Sequence, residues 1–319
     1  MSRRSILLCA AASALAVNAS VQAQVLYNQN FDADSTASWT VNAGPSDHLA
    51  DFFFDYNTAG IPSAPNSGGT TRGLKLGANY TNGIFSGVSV SPNGQSFAGD
   101  YTLRFDWWSN FNGPAPVVGS GSTQMTTYGI DTSGTVAQWP GGTQDSIWFA
   151  ATGDGNSSSD WRAYSPTAAT RYVDSSGVYA AGTQAGSTNA SDPYYASFGS
   201  VSAPAAQTAL FPQQTGTTLV GSAAFEWHDV VISKVGGNVT WTVDGTLIAT
   251  VPVADDTVLT GNNIFFGHSD TNATSSTDPN DMNLLFSLID NVSVTVVPEP
   301  TSLTLAGVGA LGLLRRRRR

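Results

Sequence analysis

Apolar and polar residues alternate along much of this chain with a period of two, the pattern of β-strands that bury one face. The alternation is clearest over residues 101–107, where Tyr, Leu, Phe and Trp take every second position and Thr, Arg and Asp lie between them. A second block covers 225–251, and its turns at Gly236-Gly237-Asn238 and Asp244-Gly245 carry the residues that tight hairpins need. A third block, 285–296, closes the pattern. These blocks predict antiparallel strands.

Shorter apolar runs add further strand candidates, and no stretch has convincing helical periodicity. The chain therefore predicts an all-β fold, a two-sheet antiparallel β-sandwich over residues 24–297. Residues 152–222 differ because Ser, Thr, Ala and Gly dominate them. This segment is too long for an ordinary loop and too poor in aliphatic residues for a core of its own. We interpret it as a loop-rich insertion in the same domain.

The acidic composition supports this fold class and excludes one class of partner. Residues 24–297 contain 21 Asp but a single Glu, Glu226, and Asp favours turns and caps whereas Glu favours helix. The same segment holds six basic against 22 acidic residues, a net charge of −16. Nucleic-acid binders need clustered Lys and Arg to neutralise phosphates, so nucleic acid is excluded as a partner.

The first 23 residues have the features of a secretory signal peptide. Arg3 and Arg4 precede an apolar run from Ile6 to Val17, and Ala23 ends a small-residue motif that signal peptidase would cut. Cys9 follows Leu8 inside the apolar run, which fits lipidation poorly. The mature chain would begin at residue 24 without any cysteine, and thiol nucleophiles and thiolate zinc sites are then excluded.

The C-terminus has three parts: Pro298-Glu299-Pro300, an apolar stretch over 303–314, and five arginines that begin with Arg315 and Arg316. Twelve apolar residues in a helix reach about 18 Å, short of the roughly 30 Å hydrocarbon layer. The three parts resemble the PEP-CTERM sorting signal of exported bacterial proteins. The resemblance implies recognition of the Pro-Glu-Pro element of a sorting signal over residues 298–319 by an exosortase, transient membrane association, removal of the tail, and delivery to the cell surface or extracellular matrix. A Pro-rich linker before a weak membrane anchor is the competing interpretation.

The body resembles the laminin-G-like and concanavalin-A-like jelly rolls. The resemblance is carried by Trp227, the Gly-Gly-Asn turn, Trp241 and the closing Ile-Asp-Asn-Val at 289–292, with an opening Asn-Phe-Asp at 30–32. These are turn and core positions, so they bear on fold and say little about function. In such folds the first and last strands commonly meet, which would place Phe31 near Val292.

The residues needed for catalysis are mostly missing. Laminarinase-type enzymes with this fold carry paired Glu on one strand, whereas Glu226 stands alone and no Glu-x-Asp-x-x-Glu pattern surrounds it. No Gly-x-Ser-x-Gly elbow is present, and the three histidines are far apart in sequence. We therefore expect a non-catalytic protein. The alternative is a secreted polysaccharide hydrolase that uses an Asp pair, either Asp100 with Asp106 or Asp229 with Asp244.

Calcium is the one metal that the sequence suggests, as a structural ion. Oxygen ligands concentrate in two predicted loops and at the two predicted terminal strands, and hard cations prefer such ligands. The same residues are also the ordinary choice for Asx turns, which is the competing interpretation. The candidate ligands are Asp154 and Asp160, Asp270 and Asp278, and Asp32 with Asp290.

Aromatic residues in predicted loops suggest a polysaccharide partner. Ring faces pack on the C–H surfaces of sugars when they are exposed. Trp139, Trp161, Tyr194 and Tyr195 lie in loop-like contexts, whereas Trp107, Trp148, Trp227 and Trp241 lie in predicted strands and belong to the core. The sequence thus predicts an exported surface or matrix protein with carbohydrate as the candidate ligand.

Overall fold

A computed structural model describes residues 23–80, 84–116, 124–253, 259, 261–270 and 279–297. Residues 25–297 form one compact unit. The described residues contain two short α-helices, α1 (Ala205–Leu210) and α2 (Asp281–Leu284), and none of their helices is long and apolar enough to cross a membrane. The strands are β1 (Val25–Gln29), β2 (Trp39–Ala43), β3 (His48–Asp55), β4 (Arg72–Ala78), β5 (Ser86–Pro92), β6 (Tyr101–Asn110), β7 (Gln124–Thr132), β8 (Ile147–Thr152), β9 (Trp161–Tyr164), β10 (Trp227–Val235), β11 (Asn238–Val243), β12 (Thr246–Pro252), β13 (Asn263–Asp270) and β14 (Phe286–Val296).

The strands form two antiparallel sheets. The eight-stranded sheet has the order β12-β11-β10-β6-β14-β4-β3, and β1 also pairs with β14. The six-stranded sheet has the order β2-β5-β13-β7-β8-β9. This confirms the predicted all-β, two-sheet sandwich of the jelly-roll type.

The hairpins follow from local turn chemistry. Strands β10 and β11 join at Gly236 and Gly237, whose φ angles are 58° and 85°. Strands β11 and β12 join at Asp244 and Gly245, with φ angles of 50° and 76°. Two consecutive positive φ angles match the twist of the flanking strands, and Gly and Asp tolerate them.

The first and last strands meet, as the resemblance to jelly rolls implied. Gln29 of β1 lies opposite Val292 of β14, and Phe31 is fully buried just beyond this pair. On its other side β14 pairs with β6 along most of its length. The last strand is therefore central to the larger sheet, although it is the final element that the structure describes.

Alternate residues of each strand fill the space between the sheets. Leu103, Phe105 and Trp107 of β6 are buried in one cluster with Tyr128 and Trp241. The rings meet at their edges, with centroid distances of 5.0 Å for Phe105 and Tyr128 and 5.9 Å for Tyr128 and Trp241. Edge-to-face contacts of this kind add to the stabilisation from apolar burial, which drives the packing.

The predicted insertion closes one side of the sandwich. It contains β9, and Trp161 of this strand packs against Tyr195 and Trp241 with centroid distances of 5.2 and 5.7 Å. Its backbone covers the outer strands of both sheets, which would otherwise present unpaired N–H and C=O groups. The bonds run from Tyr172 N–H to Ala163 O on β9, from Ala180 N–H to Ile248 O on β12, and from Thr250 N–H on β12 to Val178 O.

Candidate functional site

Three aspartates lie side by side across the middle of the eight-stranded sheet. Asp106 of β6 is in register with Asp229 of β10 on one side and with Asp290 of β14 on the other. Residues directly opposite in antiparallel strands have Cβ atoms about 4.5–5.5 Å apart. Phe105 and Trp107 point into the core, so the Asp106 side chain lies on the opposite, outer face of this sheet.

A β-bulge in β14 places an amide side chain over this row. The pairing of β14 with β6 shifts register between Asp290 and Ser293, and Asn291 has a φ angle of 52°. Its side-chain N–H donates to Asp106 Oδ2 at 2.8 Å. Bulges re-aim side chains and occur often near functional sites, and a left-handed conformation at a non-glycine residue costs free energy.

A loop between β3 and β4 covers the same carboxyl group from the other side. The Asn66 backbone N–H donates to Asp106 Oδ2 at 3.1 Å, and its side-chain N–H donates to Oδ1 at 2.6 Å. Together with Asn291, these groups give Asp106 three donors. Asp106 is fully buried, so its charge is stabilised by hydrogen bonds within the protein and not by water.

Asp290 is buried beside Asp106, and its pKa is raised. Burial, together with the nearby charges of Asp106 and Asp32, raises the pKa of Asp290 to about 8, against hydrogen bonds from Asn291 and Tyr56 that lower it. The Tyr56 hydroxyl lies 3.0 Å from Thr70 O and 3.1 Å from Asp290 Oδ2, and it can donate its one proton to either of them.

The third aspartate of the row, Asp229, forms an ion pair with Arg104. Arg104 of β6 donates from Nε to Asp229 Oδ1 at 2.6 Å and from Nη2 to Oδ2 at 3.0 Å. The Arg104 side chain is 53% exposed and that of Asp229 is 34% exposed. This bidentate pair orients the guanidinium group along the sheet surface.

A cavity of about 160 Å³ opens above the row of aspartates. Its lining consists of Asn66, Arg104, Phe105, Asn291 and Ser293. Four polar groups of this lining form no hydrogen bond within the described part of the chain: Asn66 Oδ1, Asn291 Oδ1, Ser293 Oγ and Arg104 Nη1. The cavity thus offers two carbonyl acceptors, one hydroxyl and one charged donor.

The row is poorly arranged for glycoside hydrolysis. A glycosidase needs two carboxyl groups that reach the scissile bond from either side. Asp106 and Asp290 are both fully buried, and the side chains of Asn66 and Asn291 lie over Asp106. The Asp106 carboxyl group therefore holds in place the side chains of Asn66 and Asn291, which line the cavity.

The two Asp pairs suggested by the sequence lie in different surroundings. Asp100 and Asp106 lie six residues apart along one extended segment, which separates them by about 20 Å. Asp244 accepts the Asp229 backbone N–H at 2.8 Å and contacts His228 Nδ1 at 2.7 Å, so its carboxyl group caps a turn. The three aspartates of the row, Asp106, Asp229 and Asp290, are distant in sequence, and strand pairing brings them together.

The four aromatic candidates for sugar binding do not line the cavity, and two of them, Trp161 and Tyr195, are buried and not exposed in loops as the sequence predicts. Trp161 lies in β9 with 1% exposure and Tyr195 is fully buried, so neither offers a ring face to solvent. Their neighbours in the sequence are mostly polar or small, so the sequence did not indicate that these rings belong to the core. Tyr194 is 38% exposed and donates to Leu247 O at 2.7 Å. Trp139 is half-buried against Gly87.

The calcium candidates are only partly brought together. Asp32 lies near enough to Asp290 to affect its pKa, but it also accepts a 2.7 Å hydrogen bond from Asn30. Asp160 accepts hydrogen bonds from Thr152, Ser157 and Ala190, and burial, followed by the Asp160 charge, raises the pKa of Asp154 to about 6. Asp270 accepts from Asn79 at 2.8 Å. The described ranges contain no cluster of three or more Asp, Glu, His or Cys that could hold a metal. Asp278 lies outside them, and calcium binding stays a prediction.

The processing segments are largely outside the described residues. Ala23 is described and exposed, whereas Pro298, Glu299, Pro300, Arg315 and Arg316 are not described. Residues 296–319 match the sequence model of the PEP-CTERM protein-sorting motif. This confirms the sorting signal, which implies export and processing by an exosortase. No curated protein matches the chain as a whole.

Several solved structures align with most of this chain at very low sequence identity. A Bacillus subtilis protein of unknown function with a galectin-like fold is 8% identical and aligns over 86% of this chain and 98% of its own, with a TM-score of 0.45. The exoplasmic domain of VIP36 in its Ca²⁺- and mannose-bound form is 10% identical over 83% and 85%, with a TM-score of 0.41. A Bacillus licheniformis β-glucanase is 10% identical over 85% and 98%, with a TM-score of 0.39.

Proposed function

We propose that this chain is an exported, non-catalytic protein of the cell surface or extracellular matrix, and that its cavity binds a neutral sugar unit of a polysaccharide. The observation that carries the proposal is the difference between the buried carboxyl groups of the site and the polar groups that line its cavity. The carboxyl groups are sealed beneath Asn66 and Asn291, while four polar groups above them have no partner among the described residues.

The exposed groups suit a polyhydroxylated ligand. Two amide oxygens accept hydrogen bonds from sugar hydroxyls, and the Arg104 guanidinium donates to a ring or hydroxyl oxygen. Such groups orient a ligand and exclude those without matching hydroxyls. An anionic sugar fits less well, because Arg104 is already paired with Asp229 and Asp106 adds a buried negative charge.

Retention on immobilised polysaccharides tests the proposal. We expect the purified protein to be retarded on at least one neutral polysaccharide and to release no reducing sugar from it. Ser293→Leu fills the cavity and should weaken retention about tenfold or more, the equivalent of about 1.4 kcal/mol.

Thr240→Leu is the matched control, because Thr240 is a half-buried residue of β11 in the same sheet and outside the cavity lining. It should leave retention unchanged. Equal retention of both variants would place sugar binding elsewhere, for instance at Tyr194. Release of reducing sugar by the wild-type protein would replace the proposal with the hydrolase alternative.

A further inference from the structure

The cavity is closed at one of its two ends along the strands. Arg104 of β6 and Ser293 of β14 lie opposite each other and both line the cavity. On one side of this pair, the side chains of Asn66 and Asn291 lie over the sheet and donate hydrogen bonds to the buried Asp106 carboxyl group. A ligand that extended from the cavity in this direction would have to displace both amide groups and leave a buried carboxyl group without its donors, which costs free energy.

In the other direction, the same two strands present hydroxyl side chains on the outer face of the sheet. Thr102 and Thr295 are the next residues of that face after Arg104 and Ser293, because successive side chains of a strand alternate between the two faces. Thr102 and Thr295 lie opposite each other and are half-buried, whereas the inward-facing Leu103 is fully buried. The step from one pair to the next along the strands is about 7 Å, a length that one pyranose unit can span.

Ser233 of β10 extends these hydroxyl groups into a row across three neighbouring strands. It lies opposite Thr102, and the two hydroxyl oxygens are 3.0 Å apart, so one hydroxyl donates to the other. Each hydroxyl has one O–H and two acceptor lone pairs, so this bonded pair keeps one free donor. The Thr295 hydroxyl forms no hydrogen bond with a residue that the structure describes, and the neighbouring Val25 of β1 is 60% exposed. The row is therefore open to solvent and offers two donors on rigid strands.

We propose that Thr102, Thr295 and Ser233 form a second sugar subsite, so that a neutral polysaccharide chain runs from the cavity along β6 and β14 and occupies both places. This inference rests on the sugar binding proposed above, and it adds the direction of the ligand and a minimum length of two linked units. The sheet fixes the three side chains before the ligand arrives, which lowers the entropic cost of binding. An acidic second unit is disfavoured, because the row holds no cation and residues 24–297 carry a net charge of −16.

The test is calorimetric titration of the protein with gluco-, manno-, galacto- and xylo-oligosaccharides of one to four units. In the series that binds, we expect the affinity to rise about tenfold from one unit to two, the equivalent of about 1.4 kcal/mol, and to change little beyond two. Equal affinities for one and two units would overturn the second subsite and leave the cavity as the sugar site. If no series binds at any length, sugar binding itself fails, and the second subsite fails with it.

Substitutions that remove one hydroxyl and keep the shape of the side chain locate the subsite. Thr102→Val and Thr295→Val should each lower the affinity for the two-unit ligand about two- to tenfold and leave the affinity for a single unit unchanged, which also shows that the variants are folded. Thr250→Val is the matched control, since Thr250 is a half-buried residue of β12 in the same sheet, and it should change neither affinity. Unchanged binding of two units by both Thr102→Val and Thr295→Val would overturn the proposal, as would an equal loss for one and two units.

Discussion

Replacing Asp290 by Asn tests whether this buried carboxyl group is protonated in the folded protein. Asn has nearly the same shape, and its amide can reproduce both hydrogen bonds. The carbonyl oxygen accepts from the Asn291 backbone N–H, as Asp290 Oδ1 does, and the amide N–H takes the place of Oδ2, where it can donate to the Tyr56 hydroxyl oxygen. Unlike Asp290, the amide does not titrate. The variant therefore removes a pH dependence while it preserves the packing.

The magnitude follows from the two pKa values of Asp290. Its pKa is about 8 in the folded protein, and about 3.9 in an unfolded chain. Between these values Asp290 binds one proton in the folded protein and none in the unfolded chain, so its contribution to the free energy of unfolding is highest below pH 4 and falls as the pH rises towards 8. One pH unit corresponds to about 1.4 kcal/mol per proton, so the loss between pH 5 and pH 8 is about 3–4 kcal/mol.

Urea unfolding at pH 5, 6, 7 and 8, followed by tryptophan fluorescence, measures this difference. We expect the free energy of unfolding of Asp290→Asn to exceed that of the wild type by an amount that grows by about 3–4 kcal/mol over this range. Asp34→Asn is the control, since Asp34 is exposed and contacts Thr36 at the surface; it should follow the wild-type curve over this range. Parallel curves for Asp290→Asn and the wild type would refute a protonated Asp290.

Three further substitutions test the packing around the site and the core. Asn66→Ala removes the side-chain N–H, one of the three donors to the buried Asp106 carboxyl group, and should cost about 1–3 kcal/mol in urea unfolding; an unchanged stability would mean that water replaces the side-chain amide. Lys234→Ala leaves the buried Asp131 without its 2.7 Å partner and should cost about 3 kcal/mol, most of which the double variant Lys234→Met with Asp131→Asn should recover; no recovery would assign the loss to packing. Trp161→Ala should cost about 3–5 kcal/mol by the same assay, far more than Tyr194→Ala, and equal losses would contradict its place in the core.

The fold could be predicted because its signals are local. Strand β6 alternates apolar and polar residues, and one of its faces packs in the core as that alternation requires. The turn at Asp244-Gly245 has the two positive φ angles that its residues favour. The pairing of β1 with β14 came from the resemblance to jelly rolls, since nothing local joins strands so far apart in the chain.

The candidate site could not be predicted in the same way. Asp106 and Asn291 are 185 residues apart, and their hydrogen bond depends on strand pairing and on a bulge whose register no local pattern reveals. The sequence predicts a loop at Trp161 because the neighbouring residues are polar. In the structure Trp161 is buried against Tyr195, another residue of the same insertion. Long-range packing outweighs local composition at such positions.

By itself the sequence determined the fold class and the sorting signal of the protein. The sorting signal is a linear motif that an enzyme recognises in the amino-acid sequence, so it can be predicted without the tertiary structure. The PEP-CTERM match over residues 296–319 confirms this signal. Only the tertiary structure showed which aspartates lie side by side, that Asp106 and Asp290 are buried, and that a polar cavity lies beside them. The physical reason is that burial and pairing of charges depend on distances across the sheet, and these exist only once β6, β10 and β14 are aligned.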